Sequence, residues 1–385
     1  MESNQKKYDV AIIGGGLGGL SLAIQLARKN FSVILFEKEK YPFHKVCGEY
    51  ISMESWDFLE DLGLPLSDLE LPRIDTLNLT APNGKSFTTK LPLGGFGISR
   101  YKIDNLLSSI AKEYGVELLE ETRVENVVFT EGRFYIQYFE FKKSNAEIEA
   151  TICCGAYGKR SNLDVKWKRE FLTKKESRIN NYVAVKYHVT TNWPDNVIGL
   201  HNFKDGYCGI SQIEDKKYCL CYLTTADNLK KSGNSIRRMQ EEILFVNPVL
   251  KDIFTYSNFL FESPLTISQV NFGKKTVIEN NLLMIGDAAG MIAPLCGNGM
   301  SMALHTSKLA AGCIDLFLKK AINRKQLENS FILQWTKEFS KRITMGRLLQ
   351  SFFGSVLLSN LFVTGFKAFP FLAKGIIRQT HGKVF

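Results

Sequence analysis

No Cys-x-x-Cys pair occurs in this 385-residue sequence, and its eight cysteines have no zinc-module spacing. No metal site is therefore expected. Cys47, Cys153, Cys154, Cys208, Cys219, Cys221, Cys296 and Cys313 are expected as reduced, mostly buried thiols. Histidine is scarce. The five (His44, His188, His201, His305 and His381) are scattered, and no histidine or carboxylate stands out as a proton donor or base. There is no dense Lys/Arg run and no nucleic-acid motif. The net charge of +10 thus argues for an anionic cofactor or membrane rather than nucleic acid. Residues 1–9 are polar and carry no apolar h-region, so no signal peptide is read there and a cytoplasmic location is expected. The rest, 45% hydrophobic and 23% charged, is ordinary globular composition, long enough for two domains or one with an insertion.

What is present is concentrated first in residues 10–19. The apolar run Val10-Ala11-Ile12-Ile13 ends in Gly14-Gly15-Gly16-Leu17-Gly18-Gly19, which contains G-x-G-x-x-G, and a helical pattern over 20–29 follows at once. That order reads as strand, tight turn and helix start. Gly14 permits the turn, Gly16 lets the backbone approach a pyrophosphate, and Gly19 lets helix and strand pack closely. The phosphate would sit on the helix N-terminus, where free N–H groups and the positive dipole end favour an anion. A second strand, 32–36, ends at Glu37, where an acid is expected on a ribose hydroxyl.

A loop follows, bracketed by Pro42 and Gly48. Loops at the carboxyl ends of parallel strands border ligands. Lys45 is placed to meet an anion, and Cys47 next to Gly48 to press on a flat ring; a surface loop with an incidental cysteine fits the spacing equally well. Strands are expected over 73–80 and 85–90, then a helix over 105–114 with Asp104 as its cap. Arg100, just before that helix, is a candidate contact for a pyrophosphate or a flavin edge, although an exposed charge is the commoner fate of an arginine. Strand-like runs at 123–130, 134–141 and 147–153 suggest a meander joined to the nucleotide domain. Alternating runs at 182–190, 197–201, 207–213, 218–224 and 259–270, with a helix over 235–245, read as an antiparallel sheet laid on a helix. A buried strand at 281–285 then meets Gly286-Asp287, and Gly297-Asn298-Gly299-Met300 precedes a long helix over 302–319. Asp287 would hold cofactor hydroxyls, and Gly297 and Gly299 would turn backbone N–H groups toward a planar or anionic group.

These motifs coincide with one family. Over roughly residues 8–335 the chain resembles the FAD-dependent oxidoreductases that include p-hydroxybenzoate hydroxylase-type monooxygenases and geranylgeranyl reductases. The resemblance implies an α/β fold. Its parts would be a Rossmann-like FAD-binding domain (GR2-type) built from 1–72, 98–175 and 276–335, an inserted antiparallel-sheet α+β substrate domain of 73–97 and 176–275, and a helical C-terminal tail, 336–385. It implies FAD held by Gly14, Gly16, Gly18, Gly19, Glu37, Arg100, Gly286, Asp287, Gly297, Gly299 and Met300, with Val124 on the adenine side. The segment Lys45-Val46-Cys47-Gly48-Glu49 looks most like the geranylgeranyl-reductase branch. There a Cys-Gly pair sits beside the flavin, which implies flavin contact for Lys45, Cys47 and Gly48 and makes Cys47 the candidate catalytic residue.

Two departures bear on the reaction. The family's Ala-Asp-Gly motif reads Ala156-Tyr157-Gly158 here, with Tyr157 in place of the acid in a motif that the hydroxylases link to both FAD and NAD(P)H. The reductases' Y-x-W-x-F-P signature is absent from residues 206–212, and the halogenases' W-x-W-x-I-P is absent as well. No second G-x-G-x-x-G provides an NAD(P)H domain. The reductant is thus expected to be NAD(P)H visiting transiently, or another donor, including an electron-donor protein. The leading expectation is a monooxygenase acting on a hydrophobic aromatic or lipid-like substrate. A geranylgeranyl-reductase-like enzyme is the alternative, and a non-catalytic flavin-binding protein a distant third. Residues 348–366 carry no charge and basic residues flank them, while from 337 onward only Glu338 is acidic. The tail either packs over the substrate pocket or lies peripherally on the inner face of an anionic membrane. Both dispositions point to a hydrophobic ligand.

Overall fold

Val10, Ala11 and Ile12 have no solvent exposure on either face, which places their strand at the centre of a parallel sheet. A computed structural model describes residues 6–141, 145–173, 181–353 and 355–385. In it, Lys7–Ile13 pairs in parallel with Val33–Phe36 on one side and Asn145–Gly155 on the other. Glu117–Leu119 and Leu282–Met284 extend the two ends in parallel. The meander of Thr122–Thr130 and Arg133–Glu140 joins through Asn145–Gly155. Parallel neighbours need crossover connections. The helix Leu17–Ala27 supplies the first, and it packs on the helix Gly299–Leu318. The close approach is real: a methyl group at Gly18 would lie 2.9 Å from Ile285 and 3.2 Å from the Ala303 carbonyl. Ser21 and Ser307 share a hydrogen bond of 2.7 Å across the two helices.

The second sheet has nine strands among the described residues. Tyr182–Thr190, Tyr218–Thr225, Gly206–Gln212 and Val197–Phe203 run antiparallel in that spatial order. Val197–Phe203 then pairs in parallel with Arg73–Thr80, and Ser86–Gly97 and Tyr50–Ser52 complete that edge. One face is covered by the helices Ala226–Lys231, Ile236–Glu242 and Pro248–Tyr256 around Tyr187, Tyr222, Met239 and Phe254. The other face looks into the cavity described below.

Several expected boundaries move, for identifiable reasons. Residues 94–97 belong to the strand Ser86–Gly97, because Gly95, Phe96 and Gly97 pair with Tyr50–Ser52. The next helix is Arg100–Glu113, and its cap is Ser99, whose Oγ accepts the Lys102 N–H at 3.1 Å. Asp104 is therefore no cap; it lies inside the helix, 1% exposed, for a reason given below. The expected strand over 259–270 is split into Asn258–Phe259 and Leu265–Val270, with Pro264 at the break. The helix expected from 302 starts at Gly299. The helix Arg324–Phe353 runs through residue 336, so the tail continues the preceding helix rather than beginning there. The expected division at 175/176 lies outside the described residues.

Val356–Ala368 and Pro370–Thr380 form the rest of the tail. Among the described residues no single helix is long and apolar enough to cross a membrane. Those last two reach the required length and apolarity only together, bent by 113°.

Candidate functional site

The glycine loop works by exclusion. Gly14 has φ +107°, and a side chain there would meet the Ala156 carbonyl at 2.6 Å; one at Gly19 would run into the Gly14 carbonyl. A Cβ added at Gly16 would have Arg100 Nη2 3.5 Å away and, among the described residues, meet nothing closer outside its own stretch of chain. Gly16 caps the helix Leu17–Ala27 with no side chain accepting from its first N–H groups and no acid in its first turn. The helix Gly299–Leu318 has the same bare start behind Asn298. Both N-termini border one cavity of about 1390 Å³, counted to its open mouth.

That cavity gathers most of the expected cofactor residues from distant segments. Gly16 and Gly18 face Gly286 and Asp287 across the helix starts; Gly297, Gly299 and Met300 form the next stretch of wall. Cys47, Gly48 and Arg100 close the side nearest the second sheet. A side chain at Gly48 would enter open space, with nothing within 4 Å. Cys47 Sγ lies 3.6 Å from Met300 Sδ. Gly14, Gly19, Glu37, Lys45 and Val124 are not on the wall. Val124 is buried in its strand, and its carbonyl accepts from Asn162 at 2.9 Å. Glu37 turns back onto the loop, accepting the Gly15 N–H at 3.0 Å.

Asp104 explains how Arg100 is aimed. Arg100 donates to both oxygens of Asp104, at 2.8 and 2.7 Å, and Lys45 reaches the same carboxylate at 3.0 Å. Burial raises the Asp104 pKa, but the two cations outweigh it and hold the carboxyl below its usual range. Lys45 also stands 3.7 Å from Glu37, so one buried acid fixes two cations beside the glycine loop.

A second charged group lies behind Cys47. Glu49 is wholly buried, with φ +55°. It pairs with the fully buried Lys186, accepts from His188 Nε2 at 2.6 Å, and accepts the Arg100 backbone N–H at 2.7 Å. Lys186 donates in addition to the Lys45 carbonyl at 3.1 Å, and the Cys219 thiol to the Cys47 carbonyl at 3.2 Å. The loop 45–49 is thus tied to the second sheet at three points. Burial alone would push the Glu49 carboxyl up; the Lys186 ammonium and the His188 hydrogen bond outweigh it and hold it at about 2. Ligand atoms of Glu49, His188 and Cys219 lie within 4.8 Å of one another. Both carboxylate oxygens are already engaged and Lys186 supplies the positive charge, so the group is a buried ion pair. Sequence reasoning found neither Asp104 nor this cluster. The histidines expected to be scattered include two that meet: the rings of His44 and His188 are 5.2 Å apart.

Tyr157, at the position of the family's acid, points its hydroxyl at Asp164 (2.7 Å), which Arg169 also holds at 3.0 Å. Beside the main cavity is a second space of about 710 Å³. Its wall is almost entirely apolar: Leu77, Leu79 and Phe87 from the second sheet, and Phe366, Ala373 and Ile376 from the tail. Tyr50, Ile198, Leu200, Leu295 and Gly297 belong to both walls, so the two spaces adjoin.

Two uncapped helix N-termini with a guanidinium between them fit a pyrophosphate, and the glycine-lined stretch from Gly297 to Met300 fits a flat ring. An FAD meets both conditions. A family model described as an FAD binding domain matches residues 7–321. Conditioned medium factor receptor 1 of Dictyostelium discoideum is 26% identical over 371 residues, covering 90% of this chain and 71% of that protein. Digeranylgeranylglycerophospholipid reductase 2 of Methanothermobacter thermautotrophicus is 24% identical over 354 residues, covering 88% and 85%. The solved structure of the flavin-dependent brominase Bmp2 superimposes with a TM-score of 0.77 at 19% identity, covering 97% of this chain and 93% of that one. Such a likeness speaks for the fold alone. The family match spans the glycine loop, Arg100 and the second helix start together, and the chain belongs to this FAD-binding family as an FAD-dependent oxidoreductase.

Proposed function

We propose that the enzyme reduces a carbon–carbon double bond in a lipid bearing a long apolar chain, of the polyprenyl type. The observation that carries this reading is the pairing of the two spaces: an all-but-apolar chamber adjoins the cavity whose wall bears Cys47 and Gly48. Bound FAD supplies hydride transfer. The protein supplies the rest. Arg100 and the start of Leu17–Ala27 would hold the pyrophosphate, and Gly48 would leave room for the ring. The chamber lined by Leu79, Phe87 and Phe366 takes the chain out of water. Cys47 Sγ–H holds the proton that a reduced double bond requires beside the hydride. Glu49, ionised and engaged with Lys186 and His188, is no proton donor; it holds the loop.

Hydroxylation, the leading expectation from the sequence, is less well served. It would set the half-buried Cys47 thiol beside activated oxygen, which oxidises exposed thiolates to sulfenic acid. The name of the archaeal relative gives the probe, a digeranylgeranylglycerophospholipid. The electrons would come from transient NAD(P)H or from a donor protein. The test is mass spectrometry of that lipid after incubation with the reduced holoenzyme. Products heavier by pairs of hydrogens support the reading. A product heavier by one oxygen replaces it with the hydroxylase.

A further inference from the structure

An ordinary surface helix buries one face and turns charge to the other. The helix Val356–Ala368 departs from this. Ser359, Val363 and Phe366 face inward, while Leu357 and Leu361, 70% and 61% exposed, stand on the outer face with Thr364 and Ala368. No charge interrupts that face until Lys367. The chain then turns by 113° into Pro370–Thr380. At the corner Phe369 and Phe371 are 54% and 67% exposed, with their rings 6.1 Å apart. Isolated exposed apolar residues are common; a contiguous group on one corner marks an interaction surface.

We propose that this corner docks on an anionic lipid bilayer, and that the apolar chamber behind it is loaded from there. Charge selects this occupant. Lys367 is exposed just before the corner, Arg378 and Lys383 are exposed further along the tail, and no acidic residue occurs after Glu338. A row of leucines and phenylalanines on a tail whose charges after Glu338 are all cationic fits the boundary between acyl chains and anionic headgroups. The same two helices turn their inner faces, through Phe366, Ala373 and Ile377, onto the chamber. One layer of helix therefore separates the surface that would meet lipid from the space that would hold a lipid chain.

Docking stands independently of the reaction; loading rests on reading the chamber as the substrate's seat. The experiment is flotation of the purified holoenzyme with phosphatidylglycerol vesicles and with phosphatidylcholine vesicles, for the wild type and for Leu361→Ser/Phe371→Ser. Both residues lie outside the two cavities, so flavin content and turnover of detergent-dispersed substrate should be unchanged. The expected result is binding to phosphatidylglycerol alone, weakened by salt and reduced at least about tenfold in the double variant. Failure of the wild type to float, or equal flotation of the variant, overturns docking. A dimer in solution that the same substitutions dissociate also overturns it, because a second copy then covers the corner. If docking holds but turnover of vesicle-borne lipid equals that of the double variant, loading is overturned. If detergent-dispersed substrate is not reduced either, the reaction assigned above fails while docking stands.

Discussion

Cys47 and Met300 touch through their sulfur atoms, 3.6 Å apart, although 253 positions separate them in the chain. Met300 lies in the first turn of the helix whose bare N-terminus faces the cavity, so the contact fixes the thiol on the cavity wall. Cys47→Ala is expected to retain flavin and to lower turnover by about 10²-fold, the low end for a positioned proton donor. Flavin content from the absorption spectrum and single-turnover oxidation of the reduced enzyme by substrate check this. Full turnover in the variant removes the role.

Gly48 offers a cleaner probe of where the ring lies. A Cβ there meets nothing within 4 Å among the described residues, so Gly48→Val should leave the fold and its melting temperature nearly intact. If the flavin packs on this residue, its affinity should drop by at least about tenfold, equivalent to ~1.4 kcal/mol. Fluorescence titration of the apoprotein with FAD measures the difference. Unchanged affinity would move the ring away from this wall.

The Glu49–Lys186 pair predicts a pH dependence of stability. The folded Glu49 carboxyl sits at about 2 against an ordinary 4.5. Its stabilisation is therefore complete above about pH 4.5 and is lost as pH falls toward 2. Lys186 is raised above its ordinary 10.5, against the effect of burial, by Glu49. Its share is complete below that value and lost as pH rises beyond it. Glu49→Gln leaves the ammonium buried without a counter-charge and should cost about 3–5 kcal/mol. Urea unfolding across pH should show that loss at neutrality and a shallower acid limb.

The apolar chamber predicts selectivity by chain length. Ala373 is buried in its wall, and Ala373→Leu fills part of the space. KM for a long-chain substrate should rise at least about tenfold, with little change for a short-chain analogue that occupies the main cavity alone. Steady-state kinetics with the two substrates check it. An equal effect on both would mean that the chamber does not hold the chain.

Legibility from the sequence followed range of interaction. The glycine loop and its flanking strand and helix were readable because turn, packing and anion site are all set within ten residues. Glu49, Lys186 and His188 were not, because each partner lies 137 or 139 positions away and no spacing rule links them. Asp104 looked like a cap because it precedes a helical run, yet Ser99 does that work and Asp104 is taken up by Arg100 and Lys45. The helix Arg324–Phe353 hid the limit placed at 336, since no proline interrupts it. Gly346 within it is there for closeness: a methyl group would lie 3.3 Å from Cys296 Sγ.

Tyr50 has a buried ring that walls both the main cavity and the apolar chamber, and it packs against Gly297. A lipid chain in the chamber, if the proposed reaction holds, would share this wall with FAD. Whatever free energy that chain added or removed in settling FAD, FAD would return to it in equal measure. The cofactor's own colour and fluorescence then become a gauge of the chamber's occupancy, readable before any bond is made.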